Sequence, residues 1–179
     1  MNVFRVTAIA MGLGISSAFA GGDTITIETA SGQPGADVDV PITLSGAATP
    51  AASFDIDIVY DDTQLTPRAG GGACGFIDPG ADLDTTKHGL LCSEPSGPGL
   101  LRVIVNTLPA LGNPPIVPLT PGEQVLVRFT IDAGATAPST LTLEATNTNA
   151  SDAAGDSIPG VGFVDGSVDV VAGPPAVLN

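Results

Sequence analysis

The chain reads as an all-β protein, a sandwich of two packed sheets, on three observations. Apolar and polar residues alternate with period two in one segment after another. Gly, Pro, Asn or Asp bounds each of these segments. Helical periodicity has almost no candidates. The segments amount to about nine strands, a number that suits two sheets with alternate residues of each strand turned into a shared core.

The first strand falls near 23–29 in "DTITIETASG", and the turn "SGQPGA" follows it. In "DVDVPITLSG", Val38, Val40, Ile42 and Leu44 share one face. Pro41 lies inside that run, where its missing N–H predicts an edge strand or a bulge. The third strand is "SFDIDIVYDDTQLTP", with Phe54, Ile56, Ile58 and Tyr60 on the apolar face and Asp55, Asp57 and Val59 on the other. Between Pro67 and Pro98 the alternation weakens, and only short strands are expected, near 73–77 and 88–92. "LLRVIVNTL" restores it, with Leu101, Val103 and Val105 opposed to Arg102, Ile104 and Asn106. A proline-rich excursion leads into "EQVLVRFTIDA", where Val125, Val127, Phe129 and Ile131 are in phase, and "STLTLEAT" and "GSVDVVAG" supply the last two strands.

The opening "MNVFRVTAIAMGLGISSAFAGG" places one positive charge before a short apolar run and ends in Ala18-Phe19-Ala20, the pattern of a cleaved export signal. The apolar run is shorter than the ~20 residues a spanning helix needs. The reading is therefore a signal peptide over 1–20, one β-sandwich domain over 21–172 and a short Pro-rich tail or linker start over 173–179, with the domain working in the periplasm, at the cell surface or beyond it. The formal net charge is −14, and Arg5 leaves with the signal, so the exported domain is more acidic still. Such a field repels nucleic acid and anionic membranes, so neither is an expected partner. Apolar content is too high for a disordered acidic chain. Cys74 and Cys92 are the only cysteines, and in an exported protein they are expected to form one disulfide across the loosest part of the chain.

The order and spacing of these pieces resemble the cohesin domain. The resemblance rests on the opening strand with "GQPGADVDVPITLSG", on "FDIDIVYDDTQLTP" with its turn at Tyr60, Asp61 and Leu65, on "PGEQVLVRFTIDA", and on the closing "DAAGDSIPGVGFVDGSVDVV". It covers nearly all of the chain after the signal. It implies a nine-stranded jelly-roll sandwich related to carbohydrate-binding modules, and a function in binding a dockerin-like protein module on the sheet formed by the third, fifth, sixth and eighth strands. Asp55 matches a polar position of the third strand that meets dockerin in cohesins, and Ser53 matches its neighbour two residues earlier. Asp57 extends that face, and Val59 with Ile104 would give apolar contact. By strand parity Arg102, Ile104 and Asn106, and also Thr140, Thr142 and Glu144, project beside them. Asp55 and Asp57 on one strand face repel mildly, which a partner's Lys, Arg or hydroxyl groups would relieve. The "GGGACG" stretch and the cysteine pair depart from a typical cellulosomal cohesin.

Other functions find less support. The chain has one histidine, His88, and no Gly-x-Ser-x-Gly, His-Glu-x-x-His or phosphate-loop pattern, so an enzyme is not expected. A carbohydrate-binding module needs flat aromatic platforms, and Phe54, Tyr60 and Phe129 are spent on core positions. Asn149, Asp152 and Asp156 lie together in "NASDAAGDSIPG", but their spacing is not that of a helix-flanked calcium loop, so a solvated turn is expected and no cofactor is assigned. In the resembled family the calcium belongs to the dockerin. Self-association through sheet edges, as in a surface matrix protein, is the remaining alternative.

Overall fold

A computed structural model of the chain describes residues 23–46, 51–68, 75–95, 97–108 and 116–173. The expected signal peptide, Cys74 and most of the tail lie outside these residues. In chain order the strands are β1 (Thr24–Ile27), β2 (Thr29–Gly32), β3 (Asp37–Ser45), β4 (Ser53–Val59), β5 (Leu65–Pro67), β6 (Ile77–Pro79), β7 (His88–Ser93), β8 (Leu100–Thr107), β9 (Gly122–Ile131), β10 (Ser139–Ser151), β11 (Gly162–Val164) and β12 (Gly166–Val170). One six-stranded sheet runs β11-β1-β3-β9-β5, with β6 also on β9; the other runs β2-β12-β10-β4-β8-β7. Two pairs, β1 with β11 and β2 with β12, are parallel, and the others are antiparallel.

The alternation does what period two requires: it sends one set of side chains between the sheets. Ile25, Ile27, Val40, Ile42, Val125, Val127, Phe129 and Ile131 come from one layer; Phe54, Ile56, Ile58, Leu101, Val103, Val105, Leu143 and Val168 come from the other. Each large aliphatic or aromatic side chain so buried contributes about 1.5–3 kcal/mol. Tyr60 and Phe129 meet edge to face across the layers with ring centroids 5.2 Å apart.

The described strands outnumber the expected nine because short pieces pair where the sequence reads as loop. The single strand expected over 23–29 is two strands in different sheets: β1 ends at Ile27, Glu28 donates its N–H to the Pro41 carbonyl at 2.9 Å, and β2 crosses to pair with β12. Pro41 therefore needs no edge. It lies in an interior strand, on the side where β1 has just ended, and the register with β9 shifts one step later, between Ile42 and Thr43. The short strand expected near 73–77 is β6, which starts at Ile77. Both β6 and β5 cover the edge of β9.

Gly166 stands where the chain passes from β11 to β12 against the crossing point of β1 and β2. A Cβ there would lie 2.5 Å from Ile27 Cγ2, 2.6 Å from the Ile27 carbonyl oxygen and 2.7 Å from that of Glu28. Backbone on two sides cannot retreat as a side chain can. Gly166→Ala is expected to lower stability by about 1–3 kcal/mol, read as a lower urea midpoint. An unchanged midpoint would show that the crossover has room to spare.

Candidate protein-docking face

The outer face of β10-β4-β8-β7 carries the residues singled out in the sequence. On β4, Ser53, Asp55, Asp57 and Val59 alternate with the buried Phe54, Ile56 and Ile58. Antiparallel register sets Asp55 opposite Ile104, Asp57 opposite Arg102 and Val59 opposite Leu100. On the far side of β8, Leu91 stands opposite Ile104, Ser93 opposite Arg102 and Gly89 opposite Asn106. All seven expected residues thus share one face of one sheet.

Their environments differ sharply. Asp57 is only 5% exposed. Its two carboxylate oxygens accept from Arg102 Nε and Nη2, both at 2.6 Å, and Oδ2 also accepts from Asn147 Nδ2 at 3.1 Å. A bidentate Arg–carboxylate pair of this kind is strong and geometrically specific. The guanidinium holds the Asp57 carboxyl below the usual carboxylate range, against the opposing effect of burial. Asp57 in turn raises Arg102, and the charge of Asp55 adds to that. The expected acidic face is thus corrected at one position, because Asp57 meets a cation of its own chain and has little surface left for a partner. The carboxylate of Asp55, half-buried one step along, makes no hydrogen bond or ion pair with any described residue.

On β10 the structure brings a different set of residues to the site than strand parity alone. Thr140 and Thr142 stand opposite Asp169 and Ser167 of β12, away from β4. Thr140 Oγ1 donates to Asp169 Oδ1 at 2.7 Å. Glu144 does reach β4, opposite Val59, and is exposed. Beyond it the neighbours of Asp57 and Asp55 are Thr146 and Asn149, and Ser151 lies opposite Ser53 with their hydroxyl oxygens 2.5 Å apart. The register slips between Thr146 and Asn149, where Asn147 adopts φ 44°. Asn tolerates this left-handed conformation better than most residues, and the resulting bulge swings its amide onto Asp57. Two asparagines inside a long Thr-rich strand were the available signal. Leu91, 51% exposed, was likewise missed, because the loop-like sequence around it hid its phase.

The face therefore holds two aliphatic positions on either side of the Asp57–Arg102 pair: Ile104 with Leu91 beside the Asp55 carboxylate, and Val59 beside that of Glu144. Asn106 is less available, with Oδ1 buried and unpartnered. A Cβ on the opposing Gly89 would come within 2.8 Å of that oxygen. On the outer face of the other sheet several charged side chains are paired with one another. Arg68 pairs with Asp37 at 2.6 Å, Thr130 Oγ1 donates to Asp37 at 2.7 Å, Arg128 pairs with Asp78 and lies 3.7 Å from Asp39, and Thr43 Oγ1 donates to Glu28 at 2.6 Å.

The Asn149–Asp156 loop closes on itself. Asp152 Oδ1 accepts from the N–H groups of Ala154 and Asp156, and Ser157 Oγ donates to Asn149 Oδ1. Among the described residues no group of three or more His, Cys, Asp and Glu side chains is placed to hold a metal ion, and no helix is long and apolar enough to cross a membrane.

CaCohA2 from Clostridium acetobutylicum, solved in solution, is 27% identical, with 86% of this chain and 93% of that chain covered and a TM-score of 0.64. CaCohA2 in its complex with CaDoc0917 is 26% identical over 84% of this chain and all of that one, with a TM-score of 0.67. The sixth cohesin of Acetivibrio cellulolyticus scaffoldin B, solved with a Cel5 dockerin, shares the fold at 22% identity, 84% and 99% coverage and a TM-score of 0.64. No curated protein sequence matches the chain. The model of the family described as "Cohesin domain" matches residues 24–170, nearly all of the described sandwich, and the chain belongs to the cohesin domain family.

Proposed function

We propose that this domain is a non-catalytic receptor that docks a dockerin-like protein module on the outer face of β10-β4-β8-β7. One observation carries the choice of face: Leu91 and Val59 are exposed on it and the carboxylates of Asp55 and Glu144 accept no hydrogen bond from a described residue, while Asp37, Asp39 and Asp78 on the outer face of the opposite sheet meet Arg68 and Arg128. Solved relatives are complexes of cohesins with dockerins. The family relationship supports a place outside the cell or on its surface, and we read residues 1–20 as the export signal and 21–172 as the single folded domain. The direct experiment is capture of exported proteins of the producing organism by the purified protein, with calcium and with a chelator. Calcium-dependent retention of a dockerin-bearing protein supports the reading. Recovery of the bait's own oligomers alone replaces it with self-association.

Asp55 and Asp57 are expected to separate under mutation. Asp55→Ala weakens partner binding with a nearly unchanged melting temperature. Asp57→Ala leaves Arg102 and Asn147 without their acceptor and lowers stability by about 1–3 kcal/mol. Equal melting temperatures for the two variants would contradict the division of roles. The double variant accordingly loses stability through Asp57.

The Asp57–Arg102 pair also predicts a pH dependence. The folded-state pKa of Asp57 is depressed, so its contribution is complete above the unfolded carboxyl pKa of about 3.9 and is lost as pH falls through the lower folded value. Wild type is expected to exceed Asp57→Asn in urea midpoint at neutral pH, with the gap closing in strong acid. A gap that stays constant from pH 7 to pH 2 would assign the effect to hydrogen bonding rather than charge.

Cys92 lies on β7, at the edge of the same sheet, and we take Cys74 as its disulfide partner. A thiol assay on unfolded, unreduced protein is expected to find no free thiol, and reduction to cost about 3 kcal/mol by the chain-entropy model. Two free thiols would refute the pairing.

A further inference from the structure

At the end of the docking sheet, one residue beyond its last β4–β8 rung, lies a cavity of about 370 Å³ that the docking reading does not use. Tyr60 directly follows Val59, and Glu94 directly follows Ser93, so both leave the docking strands at this end. The Tyr60 N–H donates to the Gly99 carbonyl at 3.1 Å, which ties the β4 end to the turn before β8. Phe76, Pro67 and Pro98 give apolar walls, and the Tyr60 ring, only 5% exposed, lines the interior side. The polar groups are the Tyr60 hydroxyl, which donates to Glu94 Oε1 at 3.3 Å, and the carboxylates of Glu94 and Asp62. Burial raises the Tyr60 pKa, and the charges of Glu94 and Asp62 add to it.

No described cation answers these carboxylates. The basic side chains of the described residues are each committed elsewhere: Arg68 to Asp37, Lys87 to Asp84, Arg102 to Asp57 and Arg128 to Asp78. A long side chain with an apolar stem and a cationic head fits such a cavity, stem against Phe76 and the prolines, head between the carboxylates. We propose that the Tyr60–Glu94–Asp62 cavity receives a Lys or Arg side chain of the docked protein partner, anchoring it at one end of the docking face. This rests on the docking reading for the source of the side chain, though not for the cavity's chemistry.

Tyr60 is the chain's one tyrosine, and there is no tryptophan. Its fluorescence therefore reports on this cavity alone. The probe is n-propylguanidinium, titrated into the purified protein at neutral pH against sodium chloride of equal ionic strength. The expected result is a saturable change in Tyr60 emission with the guanidinium only, together with a lower phenol pKa, because a cation offsets the carboxylates. Asp62→Asn with Glu94→Gln, both exposed positions, is expected to abolish the saturable response. The same double variant should weaken a captured dockerin about tenfold, as loss of a charge-assisted contact implies. An unsaturable response equal to that of salt overturns the inference even where dockerin capture succeeds, and so does full dockerin affinity in a folded double variant. A saturable response with no dockerin captured supports the cavity's chemistry and removes the docking reading.

Discussion

The register of β4 against β8 is the constraint on which both the core and the proposed docking face depend. Side chains alternate with a period of two, so a slip of one residue would turn Phe54, Ile56 and Ile58 to solvent and Asp55 and Asp57 into the sandwich. It would also part Asp57 from Arg102, which stand directly opposite each other. The hydrophobic term selects the register, and the bidentate ion pair on the outer face agrees with it. Agreement between a nonspecific driving force and a directional one leaves few competing arrangements. Because the same pairing sets Ile104 beside Asp55, the chemistry of the face follows from the packing beneath it.

The distribution of charge distinguishes the two outer faces. An excess of acidic groups this large leaves most carboxylates without a cation, and where the few basic residues go decides which surface stays open. Arg68 and Arg128 are both spent on one sheet, tying β3 and β9 to β6 and to the residue that follows β5. The docking sheet holds Arg102, and Asp57 neutralises it. What remains there is negative and aliphatic. Screening by salt would weaken long-range attraction to such a face more than the Asp57–Arg102 pair, which is in direct contact and whose carboxylate is buried.

Much of this was legible in the sequence, for a physical reason. Alternation in an antiparallel sheet with one wet face is a strong signal, so the core positions of β3, β4, β8 and β9 and the shared face of Ser53, Asp55, Val59 and Ile104 follow from parity. What escaped was set by long-range geometry. The switch at Glu28 depends on Pro41 lending its carbonyl from another strand. The bulge at Asn147 puts Asn149 opposite Asp55, where unbroken parity would place Thr148. Asp57 looked like a carboxylate open to a partner because nothing local marks Arg102, 45 residues away, as its own counter-ion. Short strands such as β5 and β11 carry too few residues for a period to show.

The same economy of residues bears on what the sheet faces can bind. Stacking on a sugar requires an aromatic face turned to water. Phe54, Tyr60 and Phe129 are buried in the core, while Phe76 and Phe163 pack against its margin. The outer sheet faces are left with Thr, Ser, Asp and aliphatic side chains, which suit another protein's apolar ridge and cationic groups better than a flat ring of hydroxyls. Where the described aromatics lie in the core or at its margin, the strongest stacking groups serve stability, so affinity must come from area, fit and charge. Those are the terms on which a flat sheet face meets a folded partner.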